Sequence, residues 1–170
     1  MLIRQENPSD YDEVYQLVKI AFATTEDDDG TTPDYLDELR GKDVFIPELS
    51  LVAEIDGMLV GQIVLYKTAI VTFQGDLLTE LLLSPISVHP NYFRRGIARA
   101  MVDEALSIAA RMGYRAVFLC GDPEIYGKLG FVPTYRYKIF HKDDKTAEWS
   151  MVRELYEGAL DGITGTIDTI

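Results

Sequence analysis

The chain has 170 residues, 47% of them apolar and 26% charged, which suits one globular domain with a core of ordinary size. Its formal net charge of −12 excludes a general affinity for nucleic acid, which needs a basic surface, and excludes a simple electrostatic membrane anchor. The charge is segregated, however: the first 50 residues hold 13 acids against 4 bases, whereas residues 91–120 hold 5 bases against 2 acids.

Cys120 is the single cysteine, so no internal disulfide can form, and Met1 to Glu6 lacks the basic-then-apolar pattern of a signal peptide. The most apolar stretch, 58–71, is shorter than the roughly 20 residues of a spanning helix. These features lead us to expect a cytoplasmic protein with no membrane segment.

Leu2-Ile3-Arg4 predicts a short first strand. Asn7 then offers a cap, Pro8 suits the first helical position, and Val14, Leu17, Val18, Ala21 and Phe22 recur at helical spacing. Thr32-Pro33 repeats the start signal for a short second helix with Leu36 and Leu39 inward, ended by Gly41. The linker between these helices carries Glu26-Asp27-Asp28-Asp29, read either as a solvated loop or as a border that attracts a cationic amine.

From Ser50 the pattern changes to strands: Leu51–Ile55, a hairpin turn at Asp56-Gly57, a long run to Phe73, a turn at Gln74-Gly75-Asp76, and a strand from Leu77 to Val88. Ser84-Pro85 interrupts that last strand. Proline cannot donate to a ladder, so a bulge or a local parting of strands is expected there, at a functional opening.

Val88 to Ala100 joins this strand to an amphipathic run through a small-residue, basic loop. The first amides of a helix have no intrahelical partner and the peptide dipoles favour an anion at that end. Gly96 and Ala98 keep side chains out of the way, while Arg94, Arg95 and Arg99 add charge, so residues 94–99, Ile97 included, form a candidate seat for pyrophosphate. Ile97, Met101, Ala105, Ile108 and Met112 mark the helix, Gly113 its end, and 114–120 a buried strand. Cys120 reads as a small buried apolar residue. Residues 123–129 make a short helical segment, 131–140 a strand and 148–155 a final strand, with Trp149 in the core and His141 beyond it. The Gly- and Thr-rich tail reads as a loose extension, dividing the chain into a domain of residues 1–157 and an extension of 158–170.

Strand, helix and strand around the basic loop form a right-handed crossover between parallel neighbours in a sheet otherwise built from hairpins. The expected class is therefore α+β: a mostly antiparallel twisted sheet, one parallel pair splayed at the site, and helices on both faces.

Two separated motifs share one resemblance. Arg95-Gly96-Ile97-Ala98 is similar to the acyl-CoA pyrophosphate loop of the GNAT superfamily of N-acetyltransferases, and Tyr126-Gly127-Lys128-Leu129-Gly130-Phe131 to its downstream Tyr-x-Lys-x-Gly-Phe segment, one helix and one strand later. Leu-Ser-Pro-Ile-Ser-Val-His-Pro, Gly121-Asp122-Pro123 and the closing Gly-Ala-Leu-Asp-Gly-Ile-Thr-Gly-Thr resemble one bacterial subgroup of predicted N-acetyltransferases. One position departs: Phe93 stands where the family usually has Arg or Gln.

The resemblance implies a GNAT-like fold and transfer of acetyl from acetyl-CoA, as co-substrate and without a metal, to a primary amine of a small molecule or peptide. It implies that the backbone of Ile86, Ser87 and Val88 pairs with the pantetheine arm and that Tyr126 protonates the departing thiolate, with the nearby helix end favouring the phenolate. The attacking amine must be neutral, and Glu80 is the candidate base, with Ser84 at the same strand parity to position a water. The alternative is an acyl-CoA sensor or interaction domain with idle catalytic groups. A homodimer is expected by analogy.

Overall fold

The structure is a computed structural model describing residues 1–26 and 28–170. The described residues hold nine strands, hydrogen-bonded in the order β1-β2-β3-β4-β5-β8-β6, with β9 on β3 and β7 on β9. The chain divides into two compact units, one of residues 1–65 and 84–108, the other of residues 66–83 and 109–170.

In the first unit, β1 (Leu2–Gln5) runs antiparallel to β2 (Phe45–Ile55), with Leu2 opposite Glu54 and Gln5 opposite Leu51. A 3-10 turn at Pro8–Asp10 leads into α1 (Tyr11–Phe22), where the Asp10 carboxylate accepts the Asn7 N–H at 2.8 Å. Val14, Leu17, Val18 and Ala21 are buried, as their spacing predicts. Pro33, Leu36 and Leu39 of α2 (Thr32–Leu39) are also buried, and Arg40, just beyond, donates to both oxygens of the buried Glu6 at 2.9 and 2.8 Å. β2 begins six residues before the predicted Leu51. The exposed Pro47 and Glu48 hide its start, because proline is a poor central-strand residue yet is tolerated at an edge. The Asp56-Gly57 turn has φ of 51° and 78°, both left-handed, as a two-residue hairpin demands. β3 (Met58–Thr72), β4 (Leu77–Val88) and α3 (Ile97–Arg111) follow, each with residues in both units.

In the second unit, β5 (Ala116–Cys120) is antiparallel to β8 (Ser150–Glu154), which also takes β6 (Val132–Pro133). β4 and β5 are parallel, but their pairing is confined to Leu81 with Val117 and Leu82 with Phe118, although the strands run on to Val88 and Cys120. The ladder between them thus ends at Leu82, three residues before Pro85. The core here is built on Ile70, Phe118, Ile139, Val152 and Leu160.

Three expectations change in this unit. Residues 131–140 are not one strand: β6 gives way to a 3-10 turn at Thr134–Tyr137, and Lys138, at φ 58°, turns the chain into β7 (Ile139–His141). The aromatic and branched side chains mimic a strand, but Pro133 removes a donor where the ladder would continue. The tail is not a loose extension. Its β9 (Gly165–Ile167) pairs antiparallel with β3 and parallel with β7, which adds a second parallel pair to the one expected, and Leu160 and Ile167 are buried. His141 is not beyond the core but fully buried within β7, 4.6 Å from the half-buried Trp149 ring.

Candidate active site

The basic loop is shaped by its entrance. The His89 N–H donates to Val60 O at 2.8 Å, closing the β3–β4 pairing, and His89 Nδ1 accepts the Asn91 N–H at 3.1 Å as a 3-10 turn forms over Pro90–Tyr92. Phe93 is extended, Arg94 has φ 63° and Gly96 φ 77°. This alternation turns successive amides toward one side, the arrangement that makes anion-binding concavities. Among the described residues, the backbone amides of Arg94, Arg95, Gly96, Ile97 and Ala98 donate to no other group of the chain. Five donors at the head of a 15-residue helix are therefore uncommitted.

The side chains of this loop separate by role. Ile97 is buried and anchors the helix, while Arg94, Arg95 and Arg99 are exposed, with the Arg95 guanidinium 4.9 Å above the Tyr92 ring. Phe93, at the departing position, leaves its ring 47% exposed. The first turns of α3 sit close to β3 because position 61 is glycine: a Cβ there would lie 2.8 Å from Met101 Cε and 3.2 Å from an Ile97 methyl. Sequence reasoning missed Gly61. A glycine inside a strand pattern was the available signal, since it often marks close approach of another element.

On β4, Ile86 and Val88 are partly exposed, whereas the Ser87 side chain is buried and its hydroxyl accepts the Gln62 Nε2–H at 3.0 Å. Ser84 is partly exposed.

Glu80 is a correction. It is 1% exposed, its Oε2 accepts the backbone N–H of Arg115 at 2.9 Å and of Ala116 at 3.2 Å, and its Oε1 pairs with the Arg115 guanidinium at 3.1 Å. A carboxylate holding three donors fastens the start of β5 to β4 and is not free to take a proton from an amine. The place on the fourth strand that picked it does not show what lies opposite.

Tyr126 ends α4 (Pro123–Tyr126), a single turn started by Asp122, whose Oδ1 accepts the Glu124 N–H at 2.9 Å and whose carbonyl accepts the Tyr126 N–H at 2.9 Å. The tyrosine carbonyl accepts the Phe131 N–H at 3.1 Å, and the Phe131 ring meets the Tyr126 ring edge-on at 6.2 Å and 82°. Gly121 supplies the third wall and was not singled out as a positioning residue from sequence. A Cβ there would fall inside the tyrosine ring's contact distance, and Gly121 is held by its N–H to the Trp149 carbonyl at 2.9 Å.

Burial pushes the Tyr126 phenol above its ordinary pKa, and the Cys120 thiol adds to this, so the expected bias toward phenolate is reversed. Cys120 is itself exposed rather than buried, and partial burial of the thiol raises its pKa too, which disfavours the nucleophilic thiolate.

In the acid run, Asp29 accepts from the Thr31 N–H and hydroxyl, which lowers its pKa, while Asp27 lies outside the described residues. No helix among the described residues is long and apolar enough to cross a membrane.

Residues 2–134 match the model of the acetyltransferase (GNAT) domain family. The Escherichia coli (strain K12) protein YhbS, described as an uncharacterized N-acetyltransferase, is 30% identical over 169 residues, covering 99% of this chain and 95% of its own. The crystal structure of YhbS in complex with CoA superposes with a TM-score of 0.85 at 27% identity, over 99% of this chain and 89% of that one. A GNAT family acetyltransferase from Brucella melitensis, in complex with acetyl-CoA, gives 0.77 at 26% identity, over 98% and 94%. With the domain model spanning most of the chain and full-length relatives of the same kind, this protein belongs to the GNAT acetyltransferase family.

Proposed function

We propose that the protein binds acetyl-CoA and transfers its acetyl group to a primary amine by direct attack on the thioester. The observation that carries this reading is the run of uncommitted amides from Arg94 to Ala98, at the start of α3, beside three arginines. They hold the pyrophosphate, with Arg94, Arg95 and Arg99 balancing its charge and Phe93 contributing no donor. The relatives crystallised with CoA and acetyl-CoA support this assignment.

The backbone of Ile86, Ser87 and Val88 receives the pantetheine arm as a further strand would. An N–H there also faces the thioester oxygen as it becomes an oxyanion, an effect worth roughly 3 kcal/mol per donor elsewhere. The amine nitrogen forms a bond to the carbonyl carbon, the carbon–sulfur bond breaks, and the nitrogen's proton leaves through water, since Glu80 is occupied. Ser84 positions that water.

Tyr126 gives its proton to the departing thiolate and is reprotonated from solvent. With a thiol near pKa 8.5 as a stand-in and a phenol near 10, the transfer is uphill by about 2 kcal/mol before burial raises the phenol further. The step is affordable because it is coupled to irreversible loss of the thioester.

The exposed Phe93 in place of a donor favours a second reading, an acyl-CoA sensor with idle catalytic groups. One assay separates them. Acetyl-CoA is incubated with polyamines, amino acids, aminoglycosides and peptides while thiol release is followed, and CoA binding is measured by calorimetry. Turnover that Tyr126→Phe lowers by orders of magnitude supports the enzyme with Tyr126 as acid. Tight CoA binding without turnover supports the sensor, and absence of CoA binding overturns both.

A further inference from the structure

We infer that Arg153 is a positioning residue that holds the Tyr126 turn in its working place. Arg153 lies on β8, opposite Val117, and its guanidinium leaves the strand to donate from Nη1 to the Leu129 carbonyl at 3.0 Å. The carbonyl belongs to the 3-10 turn Gly127–Leu129, which follows Tyr126 without a break. At the next residue the arginine stem lies flat over bare backbone. A Cβ on Gly130 would stand 3.3 Å from Arg153 Cδ and Nε, and Gly130 has φ 89°. The glycine therefore serves two purposes, a left-handed turn and a bed for the arginine.

The geometry explains why a tether is needed. Tyr126 sits on a turn only seven residues long, 123–129, too short to hold its own shape by helical hydrogen bonds. Backbone bonds fix its two ends: the Gly121 N–H to Trp149 O before it, and the Phe131 N–H to Tyr126 O after it. Arg153 grips the stretch between, at the carbonyl end of the turn where a cation is favoured. An arginine reaching from β8, which is paired along its length with β5, ties the loop to the sheet.

This inference rests on Tyr126 being the proton donor, and the test separates the two. Arg153→Met keeps the apolar stem over Gly130 and removes the donor, while Arg153→Lys restores a donor. We expect Arg153→Met to lower kcat about tenfold with little change in acetyl-CoA affinity, Arg153→Lys to recover most of it, and Arg153→Met to add no further loss in a Tyr126→Phe background. Fluorotyrosine labelling gives a readout that needs no acceptor. The Tyr126 fluorine resonance, assigned by its absence in Tyr126→Phe, should shift and broaden in Arg153→Met and return in Arg153→Lys. An unchanged resonance in a folded Arg153→Met, or equal losses of kcat in both backgrounds, overturns the role of Arg153. Full turnover by Tyr126→Phe instead sinks the proton-donor reading, and leaves the resonance experiment to judge whether Arg153 places the ring.

Discussion

Gly121 lies so close to Tyr126 that a Cβ at position 121 would stand 2.3 Å from Cε2 and 2.5 Å from Cδ2 of the ring. Those atoms belong to a ring clamped by Phe131 on another side, so the added methyl evicts the tyrosine rather than nudging it. Gly121→Ala should therefore cost turnover 10²-fold or thereabouts while acetyl-CoA affinity stays within about threefold, because the anion loop belongs to the other unit. Steady-state kinetics alongside calorimetry checks this, and equal losses in affinity and rate would count against it.

Glu80→Gln separates a fastening carboxylate from a catalytic one. Losing the charge from a buried acceptor of two backbone amides should destabilise the fold by about 1–2 kcal/mol. Little of that comes from the guanidinium of Arg115, whose side chain is 42% exposed and screened by solvent. Urea denaturation should show the loss, and kcat should be unchanged within about twofold; a large fall in kcat with unaltered stability would restore Glu80 as the base.

The acid limb of stability should follow Asp10. Its hydrogen bond from Arg4, 2.7 Å from Nη1 to Oδ2, holds the carboxyl below its ordinary pKa of 3.8. A depressed carboxyl stabilises the fold fully above that ordinary value and loses the contribution as pH falls through the lowered one. Asp10→Asn should thus be less stable than the parent by about 1–2 kcal/mol at pH 7, and the two denaturation midpoints should converge as the pH falls below the ordinary carboxyl pKa.

Gly165→Ala probes the tail. A Cβ there would stand 2.1 Å from the Val71 carbonyl oxygen and 2.7 Å from Thr72 Cα, and backbone cannot rotate away as a side chain can. We expect a loss of about 2–3 kcal/mol and protease sensitivity at residues 158–170, read by thermal melting and limited proteolysis. Resistance equal to the parent would mean that β9 contributes little.

Features written in local patterns were legible in the sequence. The inward stripe of α1, the Asp56-Gly57 hairpin and the loop at Gly96 each depend on a few neighbours in the chain, and each is found. What failed depends on partners far away. Glu80 was assigned from its place on the fourth strand, but Arg115 and Ala116, which occupy it, lie 35 and 36 residues on. Gly121 and Arg153 gain meaning only when the ring and carbonyl they meet are known. The three-residue strand β9 is too short for any period to show, and its glycine, which permits the close approach to Val71, reads as flexibility.

Because β9 pairs with both β3 and β7, its residues 165–167 supply ladder partners that segments made much earlier must wait for. During synthesis the first unit has every residue it needs once position 108 has cleared the ribosome, whereas Val71 and Ile139 stay without these neighbours until residues 165–167 have emerged. The second unit therefore completes its sheet only after the first has all of its residues.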